Sequence, residues 1–394
     1  MHRVLRGATR CGQYARLMPR QLRIAIVGPT HPFSGGIATH TTSLAHRLQD
    51  AGHRVHLLSW KAQYPSFLRS GTTRVPEDEP EVRPFAGATA RLAWYDPLSW
   101  IRAGLSMRRA DVLIVTGVTP YHAVPYAVMR AAAGRRPRGV VLAHNVLPHE
   151  HGRFDEALVR FMYRQYGAVL VHSDEQARLA RGIVGDAADV DVRVTRLPLA
   201  DLLLGDDADT PVPSPEERGG LVTVGFFGMV RRYKGVDQLV EAAARVPGVR
   251  IVVRGEFWQP VEEYQEQVRA LGIEDRVEVV DGYVAMADMA ALIRGFDVVA
   301  LPYRTGSSSI NVALAHRFGT PVVVSDAGTL ALDVRDGIDG LVVPADDVDA
   351  LAAALERLTQ PGELELLRAG VDPHGSDRVW EAYTDTVASF AEHD

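Results

Sequence analysis

Short, continuous apolar runs alternate with amphipathic stretches along most of this chain, and that alternation constrains the fold more than any other feature. From Leu22 the order LRIAIVG, HTTSLAHRLQDAG, HRVHLLSW predicts a β-α-β unit. Further buried-strand candidates follow at 110–117, 138–145, 168–173 and 192–198. Strands that are apolar on both faces need cover on both faces, so the pattern predicts a parallel sheet between two layers of helices.

The pattern stops and then begins again. The segment 201–220, DLLLGDDADTPVPSPEERGG, has no apolar period and is rich in Asp, Glu, Pro and Gly, which is typical of a linker. A second strand-helix series starts at 221–228, and its later strands are predicted at 249–255, 276–282, 296–303, 320–325 and 339–345.

Two domains are therefore expected, since 394 residues exceed the roughly 250 to 300 at which a single core stops growing. We predict doubly wound α/β domains at 22–200 and 221–375, facing one another across a cleft. A last helix within 376–394 is predicted to pack back on the first domain. Ligands of such folds bind at the carboxyl ends of the strands.

The start of the chain is basic, with six arginines and no acidic residue within 1–23. Three interpretations of the tail at 1–21 stay open: a flexible extension, a protein whose translation begins at Met18 instead of Met1, and an arm drawn to anionic lipid.

Charge and cysteine content exclude several classes of protein. The formal charge of −6 disfavours a surface built to grip nucleic acid. A lone cysteine, Cys11, forms no internal disulfide and indicates a reducing compartment. No apolar run approaches the length of a membrane span, and no signal peptide is recognised. We expect a cytoplasmic protein whose membrane contact, if it has one, is peripheral at the inner face of the cell membrane.

The loop after the first strand, GPTHPFSGGIATH, places Gly35 and Gly36 before a helix. Paired glycines let the backbone approach a ligand, and a helix start favours an anion. The loop lacks the G-x-G-x-x-G fingerprint, so it does not favour hydride chemistry. A loop that only turns a corner is the alternative.

The matching loop of the second domain, GMVRRYKGVDQL, carries Arg231, Arg232 and Lys234 before a helix. The amino end of a helix carries partial positive charge, so three cations there are unfavourable unless an anion binds beside them. Arg can fork to two phosphate oxygens while Lys acts as a point charge, so a diphosphate site is predicted, with a solvated basic turn as the alternative.

Two further loops end predicted strands. Small residues before a helix are suited either to a second anion cradle or to ordinary helix capping, and here they are Gly306, Ser307, Ser308 and Ser309. The segment AHNVLPHEHGRFD holds three histidines and a glutamate, but its proline and spacing do not match a zinc motif, so no metal site is predicted. Its first histidine, His144, is expected in the cleft or as a hydrogen-bonded structural residue.

These loops together resemble the retaining glycosyltransferases of family 4, which have the GT-B architecture. The resemblance extends from Leu22 to Phe390. It rests on the Gly-Gly loop, the GxxxxxKG segment from Gly228 to Gly235, the FDVVALPY strand, and the A-x-x-x-G-x-P-V-V segment with the DAG and DGIDGLVV that follow it.

The resemblance implies a nucleotide-sugar donor in the second domain and an acceptor in the first, with no cofactor and no metal. Arg231 or Arg232, together with Lys234, would neutralise the diphosphate, and Gly306 to Ser309 would supply amides to its distal phosphate. His144 matches a histidine near the transferred sugar. Gly35 and Gly36 match the loop that closes over phosphate and acceptor.

One departure from the family pattern concerns two glutamates, because Gly306 and Leu314 occupy their positions. Two functions follow: a hexosyltransferase acting in glycan, glycolipid or exopolysaccharide synthesis, or a catalytically silent protein that binds nucleotide sugars. The acceptor is expected to be a glycan, a lipid-linked saccharide, a phospholipid headgroup or a small molecule, and the basic tail suits an acceptor held in a membrane.

Overall fold

The computed structural model describes residues 20–63, 75, 80–147, 152, 154–185, 189–202, 220–305, 310–328 and 330–392. The basic segment 1–19 and most of the predicted linker, 203–219, lie outside the described residues.

The first domain is a parallel sheet between helices. Its described strands are β1 (Arg23–Val27), β2 (Arg54–Ala62), β3 (Thr89–Ala93), β4 (Val112–Gly117), β5 (Arg138–Ala143), β6 (Ala168–Val171) and β7 (Asp191–Val194). Its described helices are α1 (Gly36–Asp50), α2 (Pro97–Met107), α3 (Ala123–Ala133), α4 (Asp155–Tyr166) and α5 (Asp174–Val184).

The second domain repeats the plan. Its described strands are β8 (Val222–Phe227), β9 (Val249–Gly255), β10 (Val277–Asp281), β11 (Val298–Leu301), β12 (Val322–Ser325) and β13 (Gly340–Val343). The helices are α6 (Val236–Arg245), α7 (Val261–Leu271), α8 (Met289–Arg294), α9 (Ile310–Arg317), α10 (Val348–Leu358), α11 (Glu363–Gly370) and α12 (Gly375–Ser389).

Strand order locates the two crevices. The sheets run β3-β2-β1-β4-β5-β6-β7 and β10-β9-β8-β11-β12-β13, and every pairing between named strands is parallel. The order reverses between β1 and β4 in the first sheet and between β8 and β11 in the second. Loops diverge at such a switch point and leave a crevice, so the two glycine-containing loops border the crevices. The prediction of two doubly wound domains is confirmed.

Alternate residues of β1 supply two different cores. Ala25 and Val27 pack with α2, α3 and α4 on one face of the sheet, while Ile24 and Ile26 pack with α1 on the other. The second sheet has a core of its own. Period-two alternation along a strand that is buried on both faces produces this division.

The last helix crosses from the second domain to the first. Trp380, Tyr383 and Val387 of α12 are buried in the core that contains Ile24 and Ile26. The indole Nε1 of Trp380 donates a hydrogen bond to the carbonyl of Leu199 at 2.7 Å.

Ion pairs join segments from both domains beside this crossing. Arg47 of α1 pairs with Asp201 at 2.5 Å and with Asp377 of α12 at 2.8 Å. Arg196, just after β7, pairs with Asp333 of the second domain at 2.5 Å. These contacts hold the first sheet against α12 and against the second domain.

Candidate active site

The loop between β8 and α6 is held close to the neighbouring strand. Gly235 has a φ of +69°, and a Cβ built there would overlap the carbonyl oxygen of Pro302. A residue with a side chain would therefore meet both an unfavourable backbone conformation and a clash. This requirement explains the glycine that ends the KG motif.

Arg231 and Lys234 are the partly buried cations of this loop. The guanidinium of Arg231 lies 3.9 Å from the centre of the Trp258 ring, and the ammonium of Lys234 lies 5.4 Å from the centre of the Tyr303 ring. Burial, and secondarily the charge of Arg231, lowers the pKa of Lys234 to about 8. Within the described ranges, neither cation has a carboxylate within ion-pairing distance.

The side chain of Arg232 points away from Arg231 and Lys234. Its exposed guanidinium pairs with Glu263 of α7 at 2.9 Å, and it lines a cavity of about 620 Å³ with Tyr264, Gln267 and Thr305. The structure therefore brings Arg231 and Lys234 together but turns the side chain of Arg232 towards α7.

Arg304, which sequence reasoning missed, fixes the loop from behind. Its guanidinium donates two hydrogen bonds to Asp237 at 2.7 and 2.8 Å, one to Asp346 at 2.9 Å and one to the carbonyl of Arg232 at 2.7 Å. Its backbone amide donates to the carbonyl of Tyr233 at 2.7 Å. Arg304 is compensated by two carboxylates, unlike Arg231 and Lys234. Its signal in the sequence was an arginine directly after FDVVALPY.

The predicted cradle of Gly306, Ser307, Ser308 and Ser309 lies outside the described residues. The helix that follows, α9, is described. Asn311 donates from Nδ2 to the carbonyl of Phe227 at 2.9 Å, tying the start of α9 to the end of β8. Leu314, at the second family glutamate position, is buried in the core of the domain.

Gly35 and Gly36 face open space at the start of α1. Gly35 has a φ of +96°, and a Cβ at either glycine would meet no other described atom within 4 Å. The amide of Gly35 donates to the carboxylate of Glu81 at 3.1 Å. An anionic group thus already occupies one donor of this helix start, as expected from the macrodipole.

His144 is one of three histidines grouped at the carboxyl edge of the first sheet. It follows β5, His172 follows β6, and His40 reaches them from α1. Ring centroids are 4.9 Å apart for His40 and His144, and 5.1 Å apart for His144 and His172. Sequence reasoning identified His144 but missed His40 and His172, although GGIATH and VHS at the strand edge were visible signals.

Burial keeps this histidine cluster neutral. It lowers the pKa of His144 to about 3 and that of His172 to about 4, and it lowers the pKa of His40 well below its usual value. The buried Nε2 atoms of all three rings, and the hydroxyl of Tyr383, have no hydrogen-bond partner among the described residues. His40 and Tyr383 are buried, whereas His144 and His172 are partly exposed at the strand edge, so these two rings are the members of the cluster nearest to a ligand.

Among the described residues, no group of three or more His, Cys, Asp or Glu side chains is arranged to hold a metal ion. No described helix combines the length and the apolar character needed to cross a membrane. Two of the three histidines and the glutamate of AHNVLPHEHGRFD fall within 148–151, which lie outside the described residues.

Two family models match the chain, one in each domain. Residues 35–196 match the glycosyl transferase 4-like domain, and residues 221–360 match the glycosyl transferases group 1. Together the two ranges take in well over half of the sequence. This chain belongs to glycosyltransferase family 4.

Curated relatives of this family 4 chain include D-inositol 3-phosphate glycosyltransferases. The protein of Mycobacterium bovis is 32% identical over 232 residues, which are 56% of this chain and 47% of the relative. That of Mycobacterium marinum is 31% identical over 180 residues, or 44% of this chain and 38% of the relative. The chain therefore spans less than half the length of these relatives.

Solved structures share the whole architecture. HepE of Anabaena, in complex with UDP, has a TM-score of 0.64 and 18% identity over 93% of this chain and 100% of that one. Sucrose-phosphate synthase of Thermosynechococcus elongatus has a TM-score of 0.62 and 18% identity over 95% and 98%. At these identities the likeness shows the fold, and it confirms the GT-B architecture.

Proposed function

We propose that this protein transfers a hexose-type sugar from a nucleotide-diphosphate sugar to an acceptor hydroxyl, with retention of anomeric configuration. The observation that carries the proposal is the pair Arg231 and Lys234. Both are partly buried at the amino end of α6, and neither has an acidic partner in the described residues. Buried cations beside a positive helix end are costly unless an anion binds, and a diphosphate supplies one.

The same pair accounts for the chemistry. Breaking the bond between sugar and phosphate develops negative charge on the leaving diphosphate, and cations already in position stabilise that charge. Arg304 contributes indirectly, because its bonds to Asp237 and to the carbonyl of Arg232 hold the cation-bearing loop in place. Such positioning lowers the reorganisation needed in the transition state.

The first domain would present the acceptor. The neutral His144 at the strand edge offers a ring nitrogen to a hydroxyl of the transferred sugar, and Gly35 and Gly36 leave room for a ligand beside α1. In a retaining transfer the acceptor hydroxyl attacks from the face that the diphosphate leaves, and the departing phosphate takes its proton. Exclusion of water by the cleft would limit hydrolysis of the donor.

The solved relatives suggest which donor to test first. HepE was crystallised with UDP and with UDP-glucose. We therefore place UDP-glucose at the head of a panel that also contains GDP-, ADP- and dTDP-sugars. Synthesis of a glycan, glycolipid or exopolysaccharide is the setting we propose.

A second candidate function is a catalytically silent nucleotide-sugar-binding protein. It is favoured by Leu314, which is buried and apolar where the family pattern has a glutamate. Loss of that carboxylate removes one polar contact to the donor but leaves the cations of the loop.

Thermal unfolding with each nucleotide sugar tests the donor site. A ligand present at 100 times its dissociation constant stabilises the native state by about 2.7 kcal/mol. We expect one nucleotide to do so, and Lys234→Ala to reduce the stabilisation. Product formation with that donor then distinguishes transfer from silent binding. The site assignment is overturned if stabilisation is the same in Lys234→Ala.

A further inference from the structure

Among the described residues, the guanidinium of Arg231 is held by an aromatic ring and not by a carboxylate. It lies 3.9 Å from the centre of the indole of Trp258, and its buried Nε atom has no hydrogen-bond partner in the described ranges. A cation over a tryptophan is attracted by the negative face of the ring. Because the ring itself is neutral, this contact leaves the positive charge of Arg231 uncompensated.

Backbone pairing places the two side chains next to one another. The loop after β8 runs parallel to the loop after β9, with a bridge between Val230 and Phe257. The amide of Val230 donates to the carbonyl of Glu256 at 2.8 Å, and the amide of Trp258 donates to the carbonyl of Val230 at 3.1 Å. Arg231 and Trp258 each directly follow a residue of this bridge, so the backbone brings their side chains together.

The loop that carries Trp258 is anchored by other residues. A Cβ built at Gly255, the last residue of β9, would overlap the carbonyl oxygen of Gly228, so the two loops approach closely at their bases. The ring of Phe257 packs against the core of the second domain and lies 5.2 Å from the ring of Tyr264. Trp258 itself is 65% exposed, so packing in the core does not account for its indole.

Arg304 shows the other way in which this part of the fold holds a cation. Its guanidinium is paired with the carboxylates of Asp237 and Asp346. A carboxylate fixes an arginine but also offsets the charge that an incoming diphosphate would meet. The indole of Trp258 fixes Arg231 without that loss of charge.

We propose that Trp258 is a positioning residue for the donor, whose indole holds the guanidinium of Arg231 ready for the diphosphate and keeps its charge available. The inference rests on the proposed function and deepens it, because it says how one of the two cations is preorganised. An arginine that is already in place loses less side-chain freedom when the ligand binds.

Calorimetric titration with nucleoside diphosphates tests the inference without an acceptor. UDP, GDP, ADP and dTDP are titrated into the full chain, and the one that binds is then used with each variant. Trp258→Leu keeps an apolar side chain but removes the ring face, so affinity should fall about five- to tenfold. Trp258→Phe keeps a ring over Arg231 and should recover most of that loss. Tyr95→Leu, at an aromatic residue of the first domain that is 60% exposed, should bind as the wild type does.

A double-mutant cycle separates positioning from direct contact with the ligand. If Trp258 acts through Arg231, Trp258→Leu should change affinity by less than about twofold when Arg231→Ala is already present. Steady-state kinetics at saturating donor should agree, with kcat about tenfold lower in Trp258→Leu, because Arg231 stabilises charge that develops in the transition state. Trp258→Phe should keep kcat near the wild-type value. Because Trp258 is exposed, both of its variants should melt at the wild-type temperature.

Three results would overturn the inference and leave the proposed function intact. One is wild-type affinity in Trp258→Leu. Another is an equal loss in Trp258→Phe and Trp258→Leu, which would show that the ring is not needed. The third is an equal loss from Trp258→Leu with and without Arg231, which would make the indole a direct contact of the ligand. Failure of the wild type to bind any of the four diphosphates would instead contradict the proposed function, and the inference with it.

Discussion

The imidazole of His40 lies almost flat against the indole of Trp380, with 5.3 Å between ring centroids and 15° between ring planes. His40 belongs to the first helix and Trp380 to the last. The same indole donates to the carbonyl of Leu199, which precedes the linker. One side chain thus joins the first helix, the end of the first domain and the last helix beneath the histidine cluster.

Trp380→Ala should destabilise the protein by about 3 to 5 kcal/mol, because a large buried ring is replaced by a cavity and the carbonyl of Leu199 loses its donor. Urea unfolding measures the effect. Trp380→Phe keeps a stacking ring but removes the hydrogen bond and part of the buried ring volume, so it should cost roughly 1 to 3 kcal/mol. Equal losses in the two variants would contradict this account of the stack.

The histidine cluster predicts sensitivity to acid. The pKa of His172 is lowered to about 4 and that of His144 to about 3, so below pH 6.5 the unfolded chain binds protons that the folded protein excludes. Stability should therefore be complete above about pH 6.5 and fall as pH drops towards 4, by about 1.4 kcal/mol per pH unit for each histidine. Urea unfolding at pH 7 and at successively lower values measures the slope.

His40→Phe supplies the matched variant for that slope. It keeps an aromatic ring against Trp380 and removes one titrating group, so its slope should be smaller by about one proton. A His40→Phe slope identical to the wild-type slope would show that His40 takes no part.

Lys234→Ala should lower kcat by about two to three orders of magnitude, the usual effect of losing a preorganised group that stabilises developing negative charge. Steady-state kinetics at saturating donor measures the loss. Arg245→Ala is the control, since Arg245 is an exposed cation that pairs with Glu241 at the other end of α6. An unchanged rate in Lys234→Ala would remove this lysine from the mechanism.

Donor binding should weaken above pH 8. The pKa of Lys234 is about 8 in the free protein, and a bound diphosphate favours the ammonium form. At higher pH, binding must take up a proton, so the apparent affinity for UDP should fall as pH rises from about 7 to about 9.5. Calorimetric titration of Lys234→Arg should show a flatter profile, because arginine stays charged throughout.

Gly235→Ala should destabilise the second domain by more than about 2 kcal/mol and abolish donor binding, since it adds a clash with Pro302 to an unfavourable φ. Gly362→Ala separates the two effects. Gly362 has a φ of +84° with no described atom within 4 Å of a built Cβ, so it should cost only about 1 kcal/mol. Similar losses at both positions would mean that the contact with Pro302 is unimportant.

The order of strands and helices could be predicted from the sequence because it depends on local periodicity. Apolar strands alternating with helices predicted both sheets, and most predicted strands overlap those observed within a few residues. β3 and α2 were missed. β3 is a five-residue edge strand with only two buried side chains, and α2 exposes a second apolar face, so neither shows the expected contrast between core and solvent.

The residues of the candidate site could be predicted only in part from the sequence. Arg231, Lys234 and His144 stood out because each follows a buried strand at a place where its residue type is unusual. Arg304 did not stand out, because its partners Asp237 and Asp346 come from separate segments. Arg232 was grouped with its neighbours, yet the short 3₁₀ turn at Arg232–Lys234 directs its side chain to α7.

The sequence alone determined the domain plan, the positions of the glycine-containing loops along the chain and the family, since each of these depends on neighbouring residues or on short motifs. The tertiary structure decided which cations stay uncompensated, which histidines meet and which aromatic ring lies over Arg231. Those relationships join residues far apart in the chain, as His40 and Trp380 show. Only the packing of complete sheets and helices brings such residues within contact distance, and so only the folded chain defines the site.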